Sequence, residues 1–215
     1  MEDYLDLDVV LGTPLSTEPF HFVIWRNPIR PAMAKRLTDE YPADGFVRSK
    51  RTAGGDKTYS FLVRKTVERN RRLPSFDSLS PSWQTFIELL IGPAYRNMLG
   101  NLVGEPLDDY EVDAGFFVFT AGNEISAHTD HLTKATTSIF YFGHNWLPEW
   151  GGELCLYRRL ADGSFETFEQ LLPQTGNGLL LVPSPMSWHG VCQVATDAPR
   201  LTLQIEIWRP TKGDR

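Results

Sequence analysis

Three places in this chain hold residues whose types and spacing could do chemistry. The first is Ala127-His128-Thr129-Asp130-His131, with two imidazoles and a carboxylate in five residues. Side chains at i and i+2 of an extended strand share a face, so His128 and Asp130 project together while Thr129 points away. A His-x-Asp pair alone is commonplace. The second place supplies a third candidate ligand: His189, 61 residues downstream, follows a proline-containing turn at the start of a predicted strand. A sheet that folds back on itself brings His189 to the pair. Two imidazoles and one carboxylate leave three metal positions open, which suits iron(II) and oxygen chemistry.

The third place is Arg200-Leu201-Thr202-Leu203-Gln204-Ile205-Glu206-Ile207-Trp208. Leu201, Leu203, Ile205 and Ile207 make one face of a strand; Arg200, Thr202, Gln204 and Glu206 make the other. In an ordinary sandwich the polar face is wet. If it lines a barrel interior instead, Arg200 must be paired, because an unpaired buried charge is very costly. A planar guanidinium suits a carboxylate bound through two oxygens, so a small anionic cosubstrate would satisfy it.

These residues need strands to hold them. Alternation and turn residues predict eight short strands near 110–119, 124–130, 135–143, 152–158, 165–171, 178–183, 188–194 and 200–208. Such a series implies an antiparallel sandwich or jelly-roll barrel. Upstream, 21–25 reads as a short strand, and Pro31 to Tyr41 as a helix with proline in its first turn. Residues 42–58 read as a loop. Ser80-Pro81 opens a further helix whose apolar stripe is Trp83, Phe86, Leu89, Leu90, Tyr95 and Leu99. No linker or repeat divides the chain. The expectation is one domain over 1–215, with supporting helices and substrate-side loops in 1–109 and a β core in 110–208.

Composition narrows the function. The chain has 215 residues, 41% hydrophobic and 22% charged, with no apolar run long enough to span a membrane. The N-terminus is acidic and lacks the basic-then-apolar order of a secretion signal, so a cytoplasmic address is expected. The net charge of −6 argues against general nucleic-acid binding. Cys155 and Cys192 are too few and too far apart for a disulfide scaffold or a Cys-x-x-Cys motif, and read as reduced thiols in or near the sheet. One stretch runs against the acidic balance. Between 48 and 72 lie Arg48, Lys50, Arg51, Lys57, Arg64, Lys65, Arg69, Arg71 and Arg72, opposed by Asp56 and Glu68. It reads as a solvated loop and helix edge, or as a rim attracting a carboxylate, a phosphate or an acidic carrier protein.

Taken together, His128-x-Asp130, His189 and Arg200, eleven residues beyond His189, resemble the iron(II)/2-oxoglutarate-dependent oxygenases, in their prolyl-hydroxylase-like branch. Ile139-Phe140-Tyr141-Phe142-Gly143-His144-Asn145-Trp146 followed by Trp150-Gly151-Gly152-Glu153-Leu154 is similar to that branch's pattern, with Gly143 where the family carries Asn. Phe119-Thr120-Ala121-Gly122-Asn123 resembles the turn before the family's first metal histidine. The resemblance covers about residues 110–208. It implies a mainly β fold with supporting α-helices, a double-stranded β-helix (jelly roll), holding Fe(II) on His128, Asp130 and His189. It further implies that Arg200 binds the far carboxylate of 2-oxoglutarate, with Thr202 and Tyr141 as hydrogen-bonding partners. O2 and 2-oxoglutarate would then be consumed and succinate and CO2 released as a substrate C–H bond is oxidised. Related halogenases replace the carboxylate ligand with a small residue; Asp130 therefore favours hydroxylation over chlorination, while desaturation or ring closure would use the same ligands.

The substrate is less legible. Gln204, Glu206 and Trp208 are the expected substrate wall from the last strand, with Glu111, Asp113 or Phe117 opposite. His131 should point away from the metal, yet reaches substrate if its strand ends there. A free amino acid or small natural-product intermediate is the first expectation, and a peptidyl or protein prolyl group the alternative. A jelly-roll module that binds without catalysis, or a cupin-like dioxygenase without 2-oxoglutarate, would use the same strands. The substrate's identity, the carbon attacked and the oligomeric state are not written in the sequence.

Overall fold

The computed structural model describes residues 1, 3–143 and 145–210. The elements run in chain order as follows. Helix α1 spans Leu7–Gly12, strand β1 Phe22–Trp25, helix α2 Pro31–Asp39, strand β2 Val47–Arg51, strand β3 Tyr59–Glu68 and strand β4 Arg71–Arg72. Helices α3 (Pro74–Asp77), α4 (Pro81–Ile91) and α5 (Pro93–Val103) come next. Strands β5 (Glu111–Phe119), β6 (Glu124–His128), β7 (Lys134–Phe142), β8 (Leu154–Arg159), β9 (Phe165–Leu171), β10 (Gly178–Leu181), β11 (Trp188–Val191) and β12 (Arg200–Trp208) complete the chain.

All eight strands expected after residue 110 form. Among the described residues they join β1 and β3 in one curled antiparallel sheet of order β1-β10-β7-β12-β5-β3-β6-β11-β8-β9. The curl closes it into a double-stranded β-helix, the arrangement that protects sheet edges by folding the sheet onto itself. Strand β3 makes the turn between the two halves. Its first residues, Tyr59 and Ser60, pair with β6, and Leu62 to Val67 pair with β5.

The alternation in β12 sets the two faces. Leu203, Ile205 and Ile207 are fully buried and pack with Phe116, Phe140 and Phe142 against Trp83, Phe86, Leu90, Tyr95 and Leu99 of the helices. Trp83 meets the rings of Phe116 at 4.7 Å and Phe142 at 4.8 Å, both edge-to-face. Truncating a ring in such a layer costs about 3–5 kcal/mol. The opposite face of β12 looks into the barrel. One end of that interior is filled by Phe20, Phe22, Ile139, Tyr141, Leu154, Leu156, Leu171, Leu179 and Leu181; the other end is open.

Two upstream expectations need correction. The stretch 48–72 contains no helix edge: β2 pairs with β3 over Val47–Arg51 and Tyr59–Val63, and β3 with β4. Its pattern misleads because Arg64 is buried where a strand would usually carry an apolar side chain. Its two terminal nitrogens donate there to the Asp44 and Ser75 carbonyls, the Asp44 carboxylate and the Ser78 hydroxyl, while Nε is left without a partner. The single stripe from Trp83 to Leu99 is two helices. Pro93 holds Gly92 at φ −74°, ψ 162°, extended rather than helical, so the chain bends there.

Candidate active site

Strands β6 and β11 lie side by side with His128 opposite His189, and their rings stand 4.3 Å apart. Gly190 permits this approach. A Cβ on it would lie 2.8 Å from the Ile125 carbonyl oxygen, inside the contact distance of real side chains. Strand β6 stops at His128, earlier than the sequence suggested, so Asp130 sits in the turn toward β7. Its carboxylate still faces the histidines, with Oδ1 3.8 Å from His128 Nε2. The three residues are buried, and one ligand atom from each lies within 4.8 Å of the others.

Both imidazoles are oriented by backbone. His128 Nδ1–H donates to the Ser126 carbonyl and His189 Nδ1–H to the Ser187 carbonyl, each at 2.9 Å. That fixes the tautomer with Nε2 unprotonated. Burial lowers the His128 pKa to about 3, helped by nearby His189 and Lys57. Burial also lowers that of His189, against the pull of Asp130. Neutral imidazoles are metal-binding imidazoles. Asp130 is the complement. Burial alone would raise its pKa, yet Lys134, His189, Lys57 and His128 together hold it below the ordinary carboxylate range. Thr137 Oγ1 donates to Asp130 Oδ2 at 3.1 Å, and Lys134 Nζ stands 3.4 Å from the same oxygen. Two neutral nitrogens and one carboxylate oxygen converging on a point can hold a divalent transition metal with positions to spare.

These ligands line a cavity of about 230 Å³ that reaches Arg200. Arg200 is 1% exposed and makes no ion pair among the described residues. Its Nε donates to the Gly152 carbonyl at 2.7 Å, and its guanidinium lies 4.9 Å from the Phe119 ring and 5.1 Å from the Tyr141 ring. Gly152 is at φ +74°, and a Cβ there would press on Arg200 Cδ and Val194, so the Gly-Gly turn shapes this seat. The Tyr141 hydroxyl beside it is buried without a hydrogen-bond partner. A buried cation in the cavity wall is what an incoming carboxylate would satisfy, and the orphaned Tyr141 hydroxyl stands beside that cation, outside the wall itself. The donor set therefore fits a dicarboxylic keto acid spanning from Arg200 to a metal at the triad.

The other expected residues divide. Gln204, Glu206 and Phe117 line the cavity. Thr202 is buried on the same strand face, but its hydroxyl donates to the Phe117 carbonyl at 3.4 Å and it is not in the cavity wall. Trp208 lines an adjoining hollow, with Asp113, Gln204 and Glu206, rather than the metal cavity itself. Glu111 is not in either wall. It lies half-exposed at the far end of β5 in an ion pair with Arg69. His131 is exposed and bonded to Thr133 at 2.7 Å, because the strand ends before it and the turn carries it outward. The cysteines are free, as expected, but adjacent, with sulfurs 2.8 Å apart on neighbouring chain segments.

Sequence reasoning missed Thr137, Lys134 and Lys57. Counting back by twos from Tyr141 on β7 reaches Ile139 and Thr137, so strand phase held that signal. Lys134 is held by Glu206 at 2.6 Å, a pairing that appears only when β7 and β12 lie side by side. Lys57 was signalled only as one of the cations of 48–72, within a stretch read as a loop, and not as a neighbour of the triad. Of the cations in 48–72, Arg51, Arg64, Lys65, Arg69 and Arg72 are spent on ion pairs with Asp56, Asp44, Glu68, Glu111 and Glu88.

Comparison with known proteins bears on the chemistry. No curated protein matches the sequence. A Pseudomonas putida prolyl-4-hydroxylase is similar in structure with a TM-score of 0.60 at 16% identity, covering 88% of this chain and 92% of its own. A Trichoplax adhaerens prolyl hydroxylase, solved with a hypoxia inducible factor oxygen degradation domain peptide fragment, gives 0.57 at 13% identity, covering 87% and 83%. The non-haem alpha-ketoglutarate-dependent epimerase SnoN from nogalamycin biosynthesis gives 0.54 at 14%, covering 90% and 82%. At these identities the likeness establishes the fold. Among the described residues no helix is long and apolar enough to cross a membrane. Residues 115–208, which include the triad and Arg200, match the model of the 2OG-Fe(II) oxygenase superfamily. The β core over 115–208 thus matches that superfamily, and the reading of the chain as an oxidoreductase using Fe(II), 2-oxoglutarate and O2 rests on that match and on the His128, Asp130 and His189 cluster that could bind iron.

Proposed function

We propose that this enzyme is a dioxygenase that hydroxylates an unactivated C–H bond of a free amino acid or small natural-product intermediate, releasing succinate and CO2. His128, Asp130 and His189 would hold the iron. Arg200 and Tyr141 would hold the far carboxylate of 2-oxoglutarate, with Thr202 packed beneath as a strand neighbour rather than a direct partner. The observation that carries the reading is Arg200, a fully buried guanidinium with no carboxylate of its own, opening onto the cavity of the triad.

When bound, the iron and 2-oxoglutarate supply the activation of O2 and the oxidising power. The chain's residues do the rest. Ser126 and Ser187 carbonyls fix the imidazole rings by their Nδ1 atoms, which would leave both Nε2 atoms free to hold the metal. Thr137 and Lys134 hold the outer oxygen of Asp130, which keeps it ionised. Phe61, Phe117, Ile125, Ile139 and Val191 give the cavity an apolar wall that keeps water from the reacting centre.

A cavity of about 230 Å³ is small and supports a small-molecule substrate. The SnoN likeness is compatible with this. The prolyl-hydroxylase likenesses favour a peptidyl or protein prolyl group as the second reading. An acidic carrier protein would find only part of the 48–72 stretch unspent, and a cytoplasmic address remains the working expectation. The test is anaerobic addition of iron(II) and 2-oxoglutarate, which should produce a weak visible charge-transfer band. Arg200→Ala should raise the 2-oxoglutarate requirement by about a hundredfold, as loss of a charged hydrogen-bonded partner does. An unchanged requirement would remove Arg200 from the role.

A further inference from the structure

Lys57 is a cavity cation that no carboxylate holds at hydrogen-bond distance among the described residues. It follows the turn between β2 and β3 and lines the metal cavity, three-quarters withdrawn from solvent. Its Nζ makes no hydrogen bond among the described residues; its one ion-pair contact is Asp130 Oδ1, at 4.0 Å. Lys134, by contrast, is held by Glu206 at 2.6 Å and Asp130 at 3.4 Å. Nearby Asp56 is engaged by Arg51. Once Asp130 is committed to a divalent metal, Lys57, 4.0 Å from its Oδ1, has its one neutralising charge spent. A half-buried ammonium in that position is costly without an anion of its own.

Charge balance says how much anion. Asp130 and Glu206 are the carboxylates of the cavity wall; Lys57, Lys134 and Arg200 are its cations. A divalent iron adds two positive charges and 2-oxoglutarate two negative ones. One positive charge is left over, and with Arg200 and Lys134 matched it belongs to Lys57.

We propose that Lys57 is the substrate's anion-binding residue and that the substrate carries one free carboxylate, seated on Lys57 beside the iron ligands. This rests on the oxygenase reading above and deepens it. It favours a free amino acid or other small carboxylic acid over a residue inside a polypeptide, whose carboxyl is tied up as an amide. It also places the oxidised carbon within a few bonds of the carboxylate, because Lys57 stands against a metal ligand.

The test uses the protein with iron(II) and 2-oxoglutarate under nitrogen, probed with the free L-amino acids, each beside its primary amide. The readout is perturbation of the visible band, followed by succinate release under air. One or more acids should shift the band, with the matching amide at least about tenfold weaker. Lys57→Met should abolish that preference while 2-oxoglutarate binding stays within about threefold. Lys57→Arg should retain the preference. The proposal is overturned if amides bind as well as acids, if no acid in the series shifts the band, or if the preference survives in Lys57→Met. It is also overturned if Lys57→Met weakens 2-oxoglutarate as much as the acid, which would assign Lys57 to the cosubstrate. Absence of the band in the unaltered protein would instead sink the oxygenase reading itself.

Discussion

Asp130 sets the electrostatics of the site more than either histidine does. The histidines are made neutral by burial, which needs only a dry wall. Asp130 must stay ionised in that same dry wall, and it does so because Lys134, Lys57 and Thr137 surround it. Its replacement should therefore separate metal binding from folding. A metal at one hundred times its Kd stabilises the native state by about 2.7 kcal/mol. For a chain of this size that is a rise in Tm of roughly 5–10 °C. Asp130→Asn keeps the volume and much of the hydrogen bonding, so the variant should fold, and the metal-induced rise should vanish along with succinate formation. Differential scanning fluorimetry with and without manganese(II), a redox-quiet stand-in for iron(II), reads this directly. A full-sized rise in the variant would remove Asp130 from the ligand set.

At the scale of elements, the site depends on how closely β6 and β11 approach. Gly190 is the hinge of that statement, since a methyl group there meets the Ile125 carbonyl at 2.8 Å. Gly190→Ala should push the strands apart, at an overpacking cost of about 1–3 kcal/mol. It should also shift His189 relative to His128, so that metal affinity falls by at least tenfold in a protein that still folds. Isothermal titration with manganese(II), beside urea unfolding, separates the two effects; unchanged affinity would mean that the neighbouring strands absorb the methyl group. The same pair of strands shows what the sequence could and could not convey. His-x-Asp on one strand face and His189 opening another were legible because period-two alternation is local. Arg200 was legible because β12 alternates without a break and its charge fell on the wrong face for a wet strand. The roles of Lys57 and Lys134 at the site were not legible, because each matters through a partner distant in sequence or on another strand, Asp130 or Glu206, and such pairing is not local. The β2–β3 hairpin was hidden by its own cations, above all by Arg64, whose burial is stabilised by groups 11 to 20 residues away.

Across the whole molecule, one guanidinium ties the helical layer to the turn that carries the metal carboxylate. Arg209, just past β12, binds Glu105 with two hydrogen bonds of 2.7 Å. It also donates to the Leu132 and Lys134 carbonyls, and its backbone N–H donates to the Thr133 carbonyl. Glu105 follows α5, and the 132–134 carbonyls follow Asp130, so the clamp spans the two layers that enclose β12. The Arg209 hydrogen bonds, with that from Tyr110, lower the Glu105 pKa against the opposing effect of burial. A carboxyl whose pKa is lower in the folded state stabilises the fold above its unfolded value of about 4.3, and that contribution disappears as pH falls through the folded value. Glu105→Gln should thus cost about 1 kcal/mol at pH 7, a modest figure because both side chains are a quarter to a third exposed. The gap between variant and parent should hold from pH 7 to about 5 and close as the solution is taken below pH 4. Urea unfolding at stepped pH measures it, and a gap that stays constant into acid would show that the clamp works through geometry alone. Because the clamp holds the turn after Asp130, the variant at pH 7 should also bind manganese(II) a few-fold more weakly, a loss that a purely peripheral ion pair would not produce.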